Sequence, residues 1–209
     1  MRLDFTSHTP ATPSVRNVVK LPMTLPDGKQ LRGELISFSG LSDQREHFAV
    51  RFSGGSLADP LLRLHSECVT GDVLGSRRCD CGSQLHEALR MLDECGGYLL
   101  YLRQEGRGLG LYRKIDAYRL QEQGSDTFEA NRILGYADDE RSYAVAVEML
   151  EALGLRAVRL LSNNPDKAQQ LEQAGIRVTE RIPTGVFMND CNRGYIEAKV
   201  RKGGHTMHL

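Results

Sequence analysis

No charge of either sign is in excess in this chain: 27 Lys and Arg stand against 27 Asp and Glu. A global field that recruits nucleic acid is therefore missing, and any anionic ligand must be held by a local cluster. Long apolar runs are missing too, and stretches such as Tyr98–Leu102 fall far short of the roughly 20 residues that cross a bilayer. Internal repeats and low-complexity segments are absent, and no signal-peptide pattern opens the chain. Cysteine is scarce, at five residues. Reduced cysteines without a targeting segment point to the cytoplasm. What remains is an ordinary globular composition, 40% apolar and 26% charged, in a chain of 209 residues that can bury a core.

Three of the cysteines fall in Cys68-Val-Thr-Gly-Asp-Val-Leu-Gly-Ser-Arg-Arg-Cys79-Asp80-Cys81. Two thiolates one residue apart, with a third upstream, can close on one soft metal ion, zinc being the usual occupant. Three protein ligands leave one tetrahedral position open, the arrangement of a catalytic zinc that activates water near neutral pH, so hydrolysis is the first reaction class to consider. A structural site results instead if His65, His86 or Cys191 supplies a fourth ligand. Plain packing is the competing reading, since cysteine often serves as a small buried apolar residue. Cys95 and Cys191 are expected to do that. A disulfide is disfavoured, because Cys-x-Cys neighbours bridge poorly.

Residues 1–15 read as loose, 16–201 as a single catalytic domain and 202–209 as a flexible tail. Alternation and turn signals predict strands at Leu21–Leu25, Gln30–Ile36, His47–Phe52 and Leu61–His65, with Pro26-Asp27-Gly28 turning between the first two. After Gly82 the period changes. Helices are predicted at Ser83–Glu94, Tyr112–Gln123, Thr127–Leu134, Glu140–Leu153 and Pro165–Ala174, with strands at Tyr98–Leu102, Ala157–Leu161 and Ile176–Thr179. This is an α/β pattern: a mixed, partly parallel sheet with helices on both faces and short antiparallel strands from the N-terminal region.

Between Arg103 and Arg119 five basic residues face two acidic ones, and Gly106, Gly108 and Gly110 lie directly between a strand and a helix. Glycines there let backbone N–H groups approach an anion, and the following helix N-terminus favours negative charge. Leu111 stands where a dinucleotide fingerprint needs its third glycine, and no Gly-Lys-Ser/Thr follows, so neither standard nucleotide loop is present. A solvated basic loop competes with a phosphate site. Ser162-Asn163-Asn164-Pro165-Asp166-Lys167 opens another helix after a strand, where an ordinary capped start competes with an anion site.

Taken together, the segments resemble GTP cyclohydrolase II from about Leu62 to Gly204. The resemblance rests on Arg63-Leu64-His65-Ser66-Glu67-Cys68-x-Thr-Gly-Asp, Arg78-Cys79-Asp80-Cys81-Gly82-x-Gln84-Leu, Arg103-Gln104-Glu105-Gly106-Arg107, Asp126-Thr127-x-Glu129-Ala130-Asn131, Asp139-Glu140-Arg141 and Asn163-Asn164-Pro165-x-Lys167. It implies zinc on Cys68, Cys79 and Cys81, and GTP among Arg63, Leu64, His65, Ser66, Glu67, Gln84, Glu105, Gly106, Arg107, Thr127, Ser162 and Lys167. It makes Asp139 the proton acceptor, Arg141 a nucleophile towards the α-phosphate, and Tyr118 the tyrosine held near the metal. Ser162 replaces a usual threonine, keeping the hydroxyl, and Leu102 replaces a usual histidine. The residues before Leu62 lie outside the resemblance and are too few to encode the further domain of bifunctional relatives.

The implied reaction consumes GTP and water at carbon 8 of guanine, releasing formate and diphosphate and leaving 2,5-diamino-6-hydroxy-4-(5-phosphoribosylamino)pyrimidine, the first step of riboflavin biosynthesis. Magnesium is expected with the triphosphate, and a homodimer is implied by the resemblance alone; neither nucleic acid nor membrane is an expected partner. A guanidinium stays protonated and has no lone pair to offer, so Arg141 either is deprotonated by Asp139 in a dry site or merely clamps phosphate. For guanine selection, Glu105 or Glu67 can accept both the ring N–H and the exocyclic amine. Two alternatives stand beside the enzyme: a zinc- and GTP-binding paralogue with a regulatory role, and a secondary-metabolism enzyme taking the same nucleotide to a different product.

Overall fold

The computed structural model describes residues 12–54, 58–124, 132–135 and 141–197. Seven strands form one sheet: β1 (Ser14–Thr24), β2 (Gln30–Ser39), β3 (Phe48–Phe52), β4 (Leu61–Ser66), β5 (Gly97–Leu102), β6 (Ala157–Leu161) and β7 (Arg177–Ile182), in the order β1-β2-β3-β5-β4-β6-β7. β1, β2, β3 and β5 pair antiparallel, whereas β5, β4, β6 and β7 pair parallel. The sheet is thus mixed, with its antiparallel half built from the N-terminal region.

The helices include α1 (Val69–Asp72), α2 (Cys81–Cys95), α3 (Leu111–Glu122), α4 (Ala144–Ala152) and α5 (Pro165–Gln173), with a 3₁₀ turn at Glu105–Gly108 and helical backbone again at residues 193–197. They cover both faces. Ala88, Leu89 and Leu92 of α2 pack with Leu31, Val50, Phe52, Leu61, Leu99 and Leu161 on one side. Val145, Ala146, Met149 and Leu150 of α4 and Leu171 of α5 pack with Ile36, Ala49, Leu62, Leu64, Leu100 and Leu160 on the other. Neighbours such as Leu61 and Leu62, or Leu99 and Leu100, divide between the two cores because successive strand side chains point to opposite faces. Leu102, at the position where the resemblance calls for histidine, is fully buried in the second of these cores. No described helix is long and apolar enough to cross a membrane.

Several boundaries differ from the sequence reading. β1 begins at Ser14, within the stretch read as loose, and pairs with β2 from Ser14↔Ser39 to Thr24↔Gln30. The first half of β1 is exposed, Val15, Val18 and Val19 included, so no regular buried face marks it in the sequence; pairing with β2 supplies the order. Arg141–Tyr143 is non-helical although a helix was expected from Glu140. The Gln170 side chain accepts from Tyr143 N at 3.0 Å and Gln104 Nε2 donates to Ser142 O at 2.7 Å, satisfying these backbone groups outside a helix. Cys95 and Cys191 are exposed rather than buried, because one ends α2 and the other sits in a turn. Most of the expected helix Thr127–Leu134 lies outside the described residues.

Candidate metal and nucleotide site

Among the parallel strands the connection from β4 leads to β5 on one side, while the chain then crosses to β6 on the other. The crevice beyond the carboxyl ends of β4 and β6 is therefore a topological switch point, and the site's cavity opens beside it, lined by residues that follow β4 and β5. Cys68 follows β4 at this end of the sheet, and the chain turns at once into α1. Asp80 precedes α2, which starts on Cys81, so Cys79 and Cys81 flank a helix entry.

The ligand atoms of Cys68, Cys79 and Cys81 all lie within 4.8 Å of one another, with the Cys68 and Cys79 sulfurs 3.7 Å apart. Glycines make this approach possible. A Cβ on Gly71 would stand 2.8 Å from Cys79 Sγ and 3.2 Å from Cys68 Sγ, and a Cβ on Gly82 would meet Gly71 O at 2.4 Å. Three thiols with room at their centre fit a soft cation, and among the described residues no histidine, carboxylate or further cysteine joins the group. Hydrogen bonds from Cys79 and Cys81, together with the Lys114 ammonium, hold the Cys68 thiol far below its ordinary range despite burial. The Cys68 sulfur pushes the Cys79 thiol up in turn.

The Cys68 turn is braced from beneath. Asp72 accepts from Cys68 N at 3.0 Å, from Tyr101 Oη at 2.8 Å and from His65 Nε2 at 3.0 Å. Burial lowers the His65 pKa in spite of Asp72, and burial raises that of Tyr101. Beside the thiols, Glu105 Oε2 accepts from Val69 N at 2.7 Å, while its Oε1 accepts from Gly106 N at 2.8 Å and Lys114 Nζ at 2.9 Å. Gly106 and Arg107 both take φ near 60°, a left-handed pair costly for arginine, and this turn directs the Gly106 N–H onto the Glu105 carboxylate.

These elements wall a cavity of about 430 Å³. Ser66, Glu67 and Cys68 enter it after β4, Gln104 to Arg107 after β5, Tyr118 from α3, Arg141 ahead of α4, and Cys191, Gly194 and Tyr195 from the C-terminal segment. Tyr118 Oη lies 3.3 Å from Thr70 Oγ1, and burial raises its pKa. The Arg78 guanidinium stacks 4.7 Å over the Tyr118 ring.

The family profile described as GTP cyclohydrolase II matches residues 19–183. The chain is 50% identical over 178 residues to GTP cyclohydrolase-2 of Vibrio cholerae, covering 84% of this chain and 90% of that protein. The chain belongs to the GTP cyclohydrolase II family. GTP cyclohydrolase-2 of Psychromonas ingrahamii is 44% identical over 192 residues, 91% of this chain and 96% of its own. The riboflavin biosynthesis protein RibBA of Bacillus cereus is 48% identical over 176 residues, which are 83% of this chain and 44% of that longer protein.

Within this GTP cyclohydrolase II fold the residues singled out from the sequence divide into two shells. Ser66, Glu67, the three thiols, Glu105, Gly106, Arg107, Tyr118 and Arg141 meet at the cavity. Arg63, Leu64, His65, Ser162 and Lys167 are buried behind it. Arg63 donates to Leu161 O at 3.1 Å and to Gln84 Oε1 at 2.9 Å, and Gln84 donates onward to Asp80 at 2.7 Å, bracing the entry to α2. Lys167 Nζ donates to Leu64 O at 2.7 Å, and Ser162 Oγ accepts from Asn164 N at 3.0 Å. Thr127 and Asp139 lie outside the described residues. Sequence reasoning assigned no role to Lys114, Asp72 or Tyr195, which the fold brings to the site or beneath it. Lys114 stood in the basic stretch as one charge among five; nothing local marked it as the one that turns inward.

Proposed function

We propose that this chain hydrolyses GTP at the guanine imidazole ring, releasing formate and diphosphate and leaving 2,5-diamino-6-hydroxy-4-(5-phosphoribosylamino)pyrimidine for riboflavin biosynthesis. The observation that carries the reading is the convergence of Cys68, Cys79 and Cys81 within 4.8 Å at the wall of a 430 Å³ cavity. That volume falls in the ~300–1,000 Å³ range of small-molecule sites.

Cys68, Cys79 and Cys81 are the proposed zinc ligands, and a zinc ion held there supplies Lewis acidity towards water and the purine. The protein residues do the rest. Glu105 is saturated by Val69 N, Gly106 N and Lys114, so Glu67, whose side chain reaches the cavity with Arg103 as its ion-pair partner at 3.0 Å, is the better reader of the guanine N–H and amine. Tyr118 carries a neutral phenol that can orient water or the opened formamide. Arg107 and Arg141 line the cavity and bring positive charge to the phosphates, Arg141 as the clamp on the α-phosphate, and magnesium, when bound, would offset the charge of the leaving diphosphate. Asp139, two residues from Arg141, is the proposed proton acceptor. Arg63, Leu64, His65, Gln84, Ser162 and Lys167 support the strand ends from behind, and Thr127 completes the GTP set.

Residues 16–201 are proposed as one catalytic domain, acting in the cytoplasm as a homodimer; light scattering at micromolar concentration checks the assembly, and a clean monomer contradicts it. The test of function is mass analysis of products from GTP and magnesium with zinc-loaded protein. Formate together with the diaminopyrimidine monophosphate is expected. Unchanged GTP, or a product retaining the formyl carbon, contradicts the assignment.

A further inference from the structure

We propose that Lys114 is a positioning residue for the thiol cluster: its ammonium is the built-in counter-charge of the Cys68 sulfur and governs how a metal ion is held there. Lys114 Nζ lies 3.1 Å from Cys68 Sγ, 2.9 Å from Thr70 Oγ1 and 2.9 Å from Glu105 Oε1. Three acceptors match the three N–H bonds of an ammonium, so its direction is specified rather than free. Its side chain is 13% exposed and that of Glu105 8%, which keeps the group away from solvent screening.

The backbone makes room for this arrangement. A Cβ on Gly106 would stand 3.2 Å from Lys114 Cβ, and Gly106 takes φ 60°, so the turn after β5 opens to let the lysine stem pass. Lys114 occupies the first turns of α3 while Cys68 follows β4, so one side chain ties the loops after two adjacent parallel strands to the metal-binding sulfur.

The charge balance gives the contact its meaning. Three thiolates around a divalent cation carry one net negative charge, and the Lys114 ammonium, held in place by Glu105, sets a positive charge 3.1 Å from the Cys68 sulfur within a buried site. An N–H donor on the sulfur also withdraws electron density from it, which tunes the metal that the sulfur binds. Glu105 shares the ammonium with the sulfur and fixes its direction.

The inference rests on the metal reading of the three cysteines, and zinc binding by the unaltered protein tests that reading separately. The decisive experiment compares Lys114→Met and Lys114→Arg by zinc competition against a chromophoric chelator, and by the sulfur-to-metal charge-transfer band after cobalt substitution. Lys114→Met is expected to weaken zinc binding about 10- to 100-fold and to move the cobalt band to longer wavelength, with Lys114→Arg recovering most of both. Should Lys114→Met not fold, Lys114→Gln, which keeps an N–H donor and loses the charge, is read in its place. A folded variant that binds zinc within about threefold of the unaltered protein, or whose cobalt band stays in place, overturns the proposal.

Discussion

Gly71 and Gly82 meet backbone to side-chain position: a Cβ on Gly82 would stand 2.4 Å from Gly71 O. The contact presses the turn after Cys68 against the start of α2 and so brings three sulfurs from two chain segments to one point. Gly82→Ala cannot be accommodated by a rotamer change, because the obstructing atom is backbone. We expect it to destabilise the fold by about 1–3 kcal/mol and to lower bound zinc. Thermal melting and metal analysis check this, and a variant with unchanged zinc content shows that the glycine contact does not set the cluster.

Removing one sulfur is expected to separate the two cleavages. Cys68→Ser loses zinc and with it formate release, whereas cleavage between the phosphates, which uses Arg141 and magnesium, continues and yields diphosphate or GMP. Parallel assays of formate and diphosphate read the outcome. Loss of both products in a variant that still binds GTP shows the steps to be inseparable.

At the phosphate end, Arg141 lines the cavity just ahead of Ser142 and Tyr143, whose backbone groups are held by the Gln104 and Gln170 side chains. A clamp predicts that Arg141→Lys retains measurable diphosphate release while Arg141→Ala falls by about 100-fold. Lysine can itself act as a nucleophile, so rate alone does not decide the role. Alkaline quenching during turnover, followed by peptide mass analysis, distinguishes the cases. A guanylyl adduct on Arg141 formed and consumed at the turnover rate establishes nucleophilic attack and rejects the clamp.

His65 adds a pH signature to stability. Burial holds its folded pKa below the ordinary value near 6.5, so the unfolded chain binds the additional proton. Its contribution is fully present above about pH 6.5 and is lost as pH falls towards the folded pKa. Urea midpoints measured between about pH 5 and 8 should decline on the acid side, and His65→Gln should flatten that decline. Identical slopes in both proteins remove His65 as the source.

The sequence by itself determined the α/β alternation, the helix that follows the Cys79 and Cys81 pair, and the spacing of three thiols, because each is a local pattern: strand or helix period, a glycine stop, residues a few positions apart. It carried the family as well, since ordered motifs survive in primary structure. Only the tertiary structure decided which of those residues face the cavity. Arg63 and Glu67 lie on one strand and its exit, yet the first is buried between β6 and α2 while the second opens into the cavity. The same holds for Lys114, an ordinary surface lysine by pattern, which turns inward because β4 and β5 lie side by side and bring Cys68 and Glu105 to its ammonium. Strand order and burial are set by packing between segments far apart in the chain, and no local period encodes them.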